Sequence, residues 1–162
     1  MSKEIKDKAK EYLKAELSVI PTKEDKRPTI SWKKYQAERM PEAEVEKLFS
    51  GSNVKGLAII TGDISGGLEV IDVDTKHDDK GTLWDELSTL FKDNEPELYK
   101  SLVIAKTISG GYHIYYRCSS IDGNLKLSVK ANKEVLTETR GEAGYVIAPP
   151  TPKYSYLQGD PT

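Results

Sequence analysis

The sequence contains a single cysteine, Cys118, among its 162 residues. One cysteine excludes an intrachain disulfide framework and a zinc site built from several thiolates, and it suits a reducing compartment. Only two histidines are present, and no serine has convincing partners for a Ser-His-Asp triad. No stretch of about 18 apolar residues exists, and the N-terminus lacks the apolar segment of a signal peptide. The sequence therefore predicts a cytoplasmic protein with no membrane partner.

A phosphate-binding loop of the GxxxxGK[ST] type is also absent, which excludes a P-loop NTPase. The net charge of −2 argues against a strongly basic nucleic-acid binder. The charge is nevertheless uneven: residues 63–99 hold eleven acidic residues against three lysines, and residues 100–140 hold seven basic residues against three acidic ones. An acidic segment beside a basic one could hold metal ions next to the phosphates of a bound ligand. Solvated helix faces and loops would give the same imbalance.

The hydrophobic pattern predicts helices in the first third of the chain and mostly strands after it. Residues 3–17 and 82–91 carry apolar side chains at helical spacing, and Pro41 opens a short helix between them. Apolar runs that predict strands are SVIPT (stopped by its proline), GLAIIT, LEVIDVD, LVIAKT, YHIYYRC, LKLSVKA, EVLTETR and GYVIAPP. The fold class is therefore α+β, with a mostly antiparallel sheet. We expect a single domain, in which residues 1–55 form an α-rich part and residues 56–162 form the core.

A pair of aspartates interrupts one of these apolar strands. Asp72 and Asp74 lie two residues apart, so both carboxylates should project from the same face. Two unpaired carboxylates that close destabilise each other, and a divalent cation such as Mg²⁺ or Mn²⁺ would remove that cost. The alternative is that the strand ends at Val73 and both acids are solvated. The pair alone does not decide between these interpretations.

A glycine-rich turn precedes another strand, in the segment TISGGYHIYYR. Gly110 and Gly111 would let the backbone approach an anion closely, and neighbouring N–H groups can form an anion-binding nest. His113 and Arg117 then fall on one face of the strand, where they could bind a triphosphate. A simple hairpin turn followed by an amphipathic edge strand is the alternative.

A third segment, TETRGEAGYVIAPPT, places Glu138 and Arg140 on alternate positions of a strand. A lone glutamate near a strand end is usually a surface residue. Here Glu138 is a candidate third carboxylate, because a two-metal site needs several acids around its ions.

In this order, the three segments resemble the N-terminal primase–polymerase (prim-pol) domain of plasmid, phage and archaeal replication proteins, within the archaeo-eukaryotic primase superfamily. That family has an apolar strand ending in Asp-x-Asp or Asp-x-Glu, matched by residues 72–74. Its Ser-Gly-Gly-x-His motif is matched by residues 109–113. Its acid before an Arg-Gly-x-Gly-Gly-Tyr-Val-x-Ala-Pro-Pro run is matched by Glu138 and residues 140–150.

The resemblance covers about residues 50–160 and has two departures. Glu138 stands where the family usually has aspartate, and Ala143 replaces one glycine of the turn. Neither departure removes a type of ligand, so activity is expected. Because prim-pol domains commonly begin longer proteins, the resemblance implies a domain excised from a longer replication protein.

The resemblance implies a prim-pol fold, in which an RRM-like antiparallel catalytic sheet with helices adjoins a small N-terminal α/β lobe. It also implies a nucleotidyltransferase that makes and extends primers from dNTPs or NTPs on a single-stranded DNA template. Two Mg²⁺ or Mn²⁺ ions would then be held by Asp72, Asp74 and Glu138. The residues implied to bind the incoming nucleotide are Ser109, Gly110, Gly111 and His113, with assistance from Arg117 and Arg140.

Further expectations concern partners and alternatives. A helicase or accessory domain in the full-length protein, a monomeric state for this chain, and a prokaryotic, plasmid- or phage-encoded origin fit the resemblance. The alternatives are a catalytically inactive nucleotide- or DNA-binding module on the same fold and a metal-dependent phosphodiesterase. Candidates for contacts to the DNA backbone are Lys106, Lys126, Lys130 and Lys133, for which solvation is the alternative interpretation.

Overall fold

The computed structural model describes residues 2–162 and confirms the α+β class. The helices are α1 (Ser2–Lys14), α2 (Glu42–Leu48), α3 (Leu83–Asn94) and α4 (Pro96–Ser101). The strands are β1 (Ser18–Thr22), β2 (Gly56–Ile60), β3 (Leu68–Val73), β4 (Val103–Lys106), β5 (Tyr112–Arg117), β6 (Lys126–Val129), β7 (Val135–Arg140), β8 (Tyr145–Ala148) and β9 (Ser155–Gln158). They form two antiparallel sheets.

The smaller sheet has the strand order β1-β2-β8 and is covered by α1 and α2. Its strand β1 continues through Pro21 to Thr22, so the prediction that proline stops this strand is wrong. Proline is tolerated because β1 is an edge strand, where one row of N–H groups pairs with nothing. Helix α1 ends at Lys14, earlier than predicted, and Glu16 takes a φ of +64° while the Leu17 N–H donates to the Tyr12 carbonyl at 2.9 Å. A left-handed residue after the last turn ends a helix in this way.

The larger sheet has the strand order β6-β7-β3-β5-β4-β9. Helices α3 and α4 cover one of its faces, where Leu83, Trp84, Leu87 and Phe91 pack against the strands. Leu90, predicted from sequence to face inward with them, is 61% exposed because it lies at the margin of that helical stripe. The segment between α3 and β4 forms helix α4, with Pro96 in its first turn, where the missing N–H of proline costs nothing.

The second face of the larger sheet packs against the smaller sheet through one hydrophobic core. Leu68 and Val70 of β3 and Tyr115 of β5 belong to the same buried cluster as Tyr12 of α1 and Ile59 of β2. The two sheets diverge beyond Val70, and the side chains that follow on this face line a cavity instead of the core. None of the helices in residues 2–162 has the length and apolarity to cross a membrane.

Candidate active site

A cavity of about 610 Å³ lies between the two sheets. Strands β3, β5 and β7 of the larger sheet form one wall, and β8 of the smaller sheet forms another. Its volume is within the range of small-molecule binding sites. Of the predicted site residues, its lining includes Asp72, Asp74, Ser109, His113 and Arg140.

Strand register places three predicted site residues in one row across the sheet. Asp72 of β3 lies opposite His113 of β5 on one side and opposite Glu138 of β7 on the other. Residues directly opposite one another in antiparallel strands share a face, so the three side chains project together. Asp72 follows Val70 on the core-facing side of β3, while Ile71 and Val73 face α3. The Asp72 side chain therefore lies at the boundary between the apolar core and the cavity.

Arg140 joins two of the predicted carboxylates. Its Nη2 atom lies 2.6 Å from Glu138 Oε1 and 3.3 Å from Asp72 Oδ2. Both carboxylate side chains are one-quarter exposed, and Arg140 is about one-third exposed. A cation between two carboxylates offsets the repulsion that they would otherwise have. The structure thus holds Asp72 and Glu138 around a positive charge.

Asp74 lines the same cavity but is engaged elsewhere. Its Oδ1 accepts a hydrogen bond from the Lys76 backbone N–H at 3.0 Å, and its Oδ2 lies 3.0 Å from Lys76 Nζ. Within residues 2–162, no three histidine, cysteine or acidic side chains are grouped closely enough to hold a metal ion. The donor chemistry still fits a hard divalent cation, because Asp72, Asp74 and Glu138 supply only carboxylate oxygens, and each is already beside a cationic side chain.

His113 is the most deeply buried polar side chain at the site. Only 8% of its side chain is exposed, and its Nε2 lies 3.7 Å from Asp72 Oδ1. Burial lowers the pKa of the imidazole below its usual value, while the charge of Asp72 acts in the opposite direction. Its Nδ1 has no hydrogen-bond partner among the residues that the structure describes. The backbone of Ile147, another residue of the cavity wall, interacts with the imidazole and favours its protonated form, so it also opposes the effect of burial on the pKa.

The predicted glycine turn connects β4 and β5 beside the end of β3. The Gly110 N–H donates to the Thr107 carbonyl at 3.0 Å, and Gly110 has a φ of +85°, which glycine adopts without strain. Gly111 packs so closely on β3 that a Cβ there would lie 2.3 Å from the Val73 carbonyl oxygen. Ser109, in the same turn, lines the cavity. The glycines therefore allow the turn to lie against the strand that carries the aspartates.

Arg117 is not brought to this cavity. It lies at the opposite end of β5, where its Nη1 donates to the carbonyls of Ser65 at 2.6 Å and Gly66 at 2.9 Å. Arg117 and His113 share a face of the strand, as the alternation predicts. The four-residue separation nevertheless places Arg117 opposite Leu68, whereas His113 lies opposite Asp72.

Sequence reasoning did not assign a site role to several residues of the cavity wall. These residues are Lys26, Trp32, Lys76, Asn124, Tyr145 and Tyr154. Trp32 packs edge-on against Tyr145, with the two ring centroids 5.0 Å apart. Asn124 accepts a hydrogen bond from the Gly141 N–H at 3.2 Å and so holds the turn after β7. The sequence offered two local signals, because Lys76 follows Asp74 by two residues and Tyr145 lies within the motif of residues 140–150.

Comparison with known proteins gives one result that bears on this arrangement. The family model for the N-terminal domain of bifunctional DNA primase/polymerase matches residues 9–161. No individual curated protein matches the sequence significantly. The family match spans both sheets and every strand that lines the cavity. The chain therefore belongs to the Prim-Pol family of bifunctional DNA primase/polymerase N-terminal domains.

Proposed function

We propose that this chain catalyses metal-dependent nucleotidyl transfer on a DNA template. It would join a dNTP or NTP to a primer 3′-hydroxyl or to a first nucleotide. The observation that carries the proposal is the row of His113, Asp72 and Glu138 across three strands, in which His113 and Asp72 line the cavity and Glu138 pairs with Arg140 of its wall. Family membership supplies the reaction class, and this row supplies the acidic and phosphate-binding groups that such a reaction needs.

In this proposal Asp72, Asp74 and Glu138 hold two Mg²⁺ or Mn²⁺ ions. When bound, such ions activate the attacking hydroxyl and neutralise charge on the triphosphate and the leaving pyrophosphate. The carboxylates of Asp72 and Glu138 must exchange Arg140 for metal, and Asp74 must exchange Lys76. Each acid side chain is partly exposed rather than enclosed in the core, which would permit this exchange.

The other side chains of the cavity suit a triphosphate. His113 is held neutral by burial, so its imidazole binds as a hydrogen-bond donor without bringing a full charge. Ser109 offers a hydroxyl, and the backbone of the Gly110 turn lies beside it. Arg140, once released from the carboxylates, offers a guanidinium, which binds phosphate oxygens in a fork geometry. Together these groups would orient the α-phosphate toward the acids.

The first test is primer extension with labelled dNTPs and Mn²⁺, comparing the wild type with Asp72→Asn. The substitution keeps the size of the side chain but removes the charge, so we expect extension to fall by at least about a hundredfold, in the range of a lost electrostatic contribution to catalysis. Glu69→Gln is the matched control. Glu69 lies on the same strand but on the opposite face, where it accepts a hydrogen bond from the Tyr116 hydroxyl.

The possible outcomes separate the alternative functions. A wild type that neither extends a primer nor joins two nucleotides would leave a binding module as the function. A wild type that shortens the DNA would instead indicate a phosphodiesterase. Full activity in Asp72→Asn would remove this side chain from the proposed metal site.

A further inference from the structure

A second cavity, of about 400 Å³, adjoins the first one. We call it the lysine cavity, because Lys23, Lys26, Lys55 and Lys153 line it. Glu24 is the single acidic side chain in its wall. The two cavities share Lys26, Ile147 and Tyr154. A nucleic-acid strand that leaves one cavity could therefore pass directly into the other.

The four lysines come from three separate segments and converge without acidic partners. Lys23 and Lys26 lie in the turn after β1, Lys55 precedes β2, and Lys153 follows β8. None of them forms an ion pair within residues 2–162. By contrast Lys130, a candidate from sequence for contacting DNA, pairs with Asp79 and Glu134. Four lysines that line one cavity without ion-pair partners produce a positive local potential, which attracts an anion.

Backbone conformation singles out two of these lysines. Lys26 and Lys153 each have a φ of +69°, in the left-handed region that favours glycine. Lys26 donates its N–H to the Lys23 carbonyl at 3.1 Å, and the turn at Lys153 is closed by the Tyr154 N–H and the Thr151 carbonyl at 2.9 Å. Lysine is less favourable than glycine at such a position, and both of these lysines lie in the wall of the same cavity.

A buried hydroxyl gives an independent indication of a ligand. Thr22 lines the lysine cavity and is fully buried, yet its Oγ1 has no hydrogen-bond partner within the described residues. Buried polar atoms are normally paired, and an unpaired one at a cavity wall suits a ligand that brings a hydrogen-bonding group. The wall also contains Ile108, Ile147 and Pro152, which can contact the sugar or base of a nucleotide.

We propose that the lysine cavity binds the phosphate backbone of single-stranded DNA as the strand passes to or from the catalytic cavity. This inference rests on the proposed function, which identifies the bound polyanion as DNA. Lysine and hydroxyl contacts to phosphates fix the position of a strand without reading its sequence. The cavity therefore provides sequence-independent DNA binding beside the reaction site. This local positive charge is compatible with a net charge of −2 for the whole chain.

The test is binding of a fluorescently labelled DNA oligonucleotide, measured by anisotropy over a series of salt concentrations in EDTA without nucleotide. We expect Lys153→Gly and Lys55→Ala each to weaken binding and to reduce the log–log salt slope by about 0.7, the value for one lost phosphate contact on a single strand. Lys80→Ala is the matched control. Lys80 is also an exposed lysine, but it lies in the segment before α3 and lines neither cavity.

Lys153→Gly should fold at least as well as the wild type, because glycine relieves the backbone at positive φ. The inference is overturned if Lys80→Ala reduces the slope as much as Lys55→Ala, or if the wild type binds no DNA. It is also overturned if both cavity variants weaken binding of a fluorescent dNTP while DNA binding is unchanged. The binding assay contains neither metal nor nucleotide, so its result does not depend on catalysis. If the lysines contribute to DNA binding but the protein does not extend a primer, only the proposed function is contradicted.

Discussion

At the scale of single residues, Arg140 shapes the candidate active site most directly. Its guanidinium lies between Asp72 and Glu138, two acids that register alone would leave facing each other across neighbouring strands. Two carboxylates on directly opposed residues repel each other, and the repulsion is stronger where bulk water is partly excluded. Arg140 therefore stabilises the chain without metal and competes with any cation that the same acids bind.

Replacing Arg140 by glutamine separates these two roles. We expect Arg140→Gln to lower the melting temperature of the metal-free protein and to tighten Mn²⁺ binding about tenfold, which corresponds to ~1.4 kcal/mol. Titration followed by the electron paramagnetic resonance of free Mn²⁺ measures the affinity without any activity. Arg27→Gln, which removes an exposed arginine paired only with Asp25, is the control. Unchanged Mn²⁺ affinity in Arg140→Gln would show that the guanidinium does not compete with the metal.

At the scale of secondary-structure elements, the strands of the larger sheet position the site, and the helices that cover the smaller sheet support it. Strand β3 carries apolar side chains to both sheet faces, and its neighbours β5 and β7 align His113 and Glu138 with Asp72 near its end. The helices on the far side of the smaller sheet are joined by charge, because Glu46 of α2 pairs with Lys6 and Lys10 of α1. These pairs are exposed, so their contribution is screened by salt.

The pairing of α1 with α2 predicts a pH dependence of stability. Hydrogen bonds from Lys10 and then Lys6 lower the pKa of Glu46 from 4.5 to about 2. Since the folded protein binds this proton less tightly than the unfolded chain, the contribution is complete above about pH 4.5 and is lost as the pH falls toward 2. We expect Glu46→Gln to lower the melting temperature slightly at pH 7 and not at pH 2.

Thermal unfolding from pH 7 to pH 2 at low salt measures this difference. Glu42→Gln is the matched control, because Glu42 lies on the same helix and forms no ion pair among the described residues. A difference between wild type and Glu46→Gln that persists unchanged at pH 2 would contradict the assignment of the effect to this carboxylate.

At the scale of the whole molecule, the two sheets depend on each other. The smaller sheet takes β1 from the first third of the chain and β2 and β8 from the remainder, and its core is continuous with that of the larger sheet. The Tyr12 hydroxyl of α1 donates to the Pro149 carbonyl at 2.7 Å and lies 2.6 Å from the hydroxyl of Tyr156 on β9. The N-terminal residues therefore complete the structure that holds the cavity.

This dependence predicts that residues 56–162 do not fold alone. Without residues 1–55, strand β2 loses its partner β1, and its fully buried side chains lose the cover of α1 and α2. Exposure of several buried aliphatic side chains, each worth about 1.5–3 kcal/mol, exceeds the stability of a typical domain. Urea denaturation followed by circular dichroism should show no cooperative transition for the fragment. Restoration by co-expressed residues 1–55 is the positive control, and a sharp transition of the fragment alone would contradict the prediction.

The sequence by itself was sufficient for the α+β class, for most strands and for the family. Alternation along LEVIDVD predicts that Asp72 and Asp74 share one face, and the order of three motifs indicates a primase/polymerase domain. These features are local, because strand periodicity and turn glycines depend on neighbouring residues. Leu90 shows the limit of that reasoning, since helical spacing alone did not define the edge of the buried stripe.

Only the tertiary structure decided which of the polar residues meet. Register between distant strands brings Glu138 beside Asp72 and leaves Arg117 at the far end of β5, bound to backbone carbonyls. The four lysines of the lysine cavity are separated by up to 130 positions in the chain and share no sequence pattern. Contacts of this kind depend on the packing of one sheet on another, and periodicity within a segment carries no information about that packing.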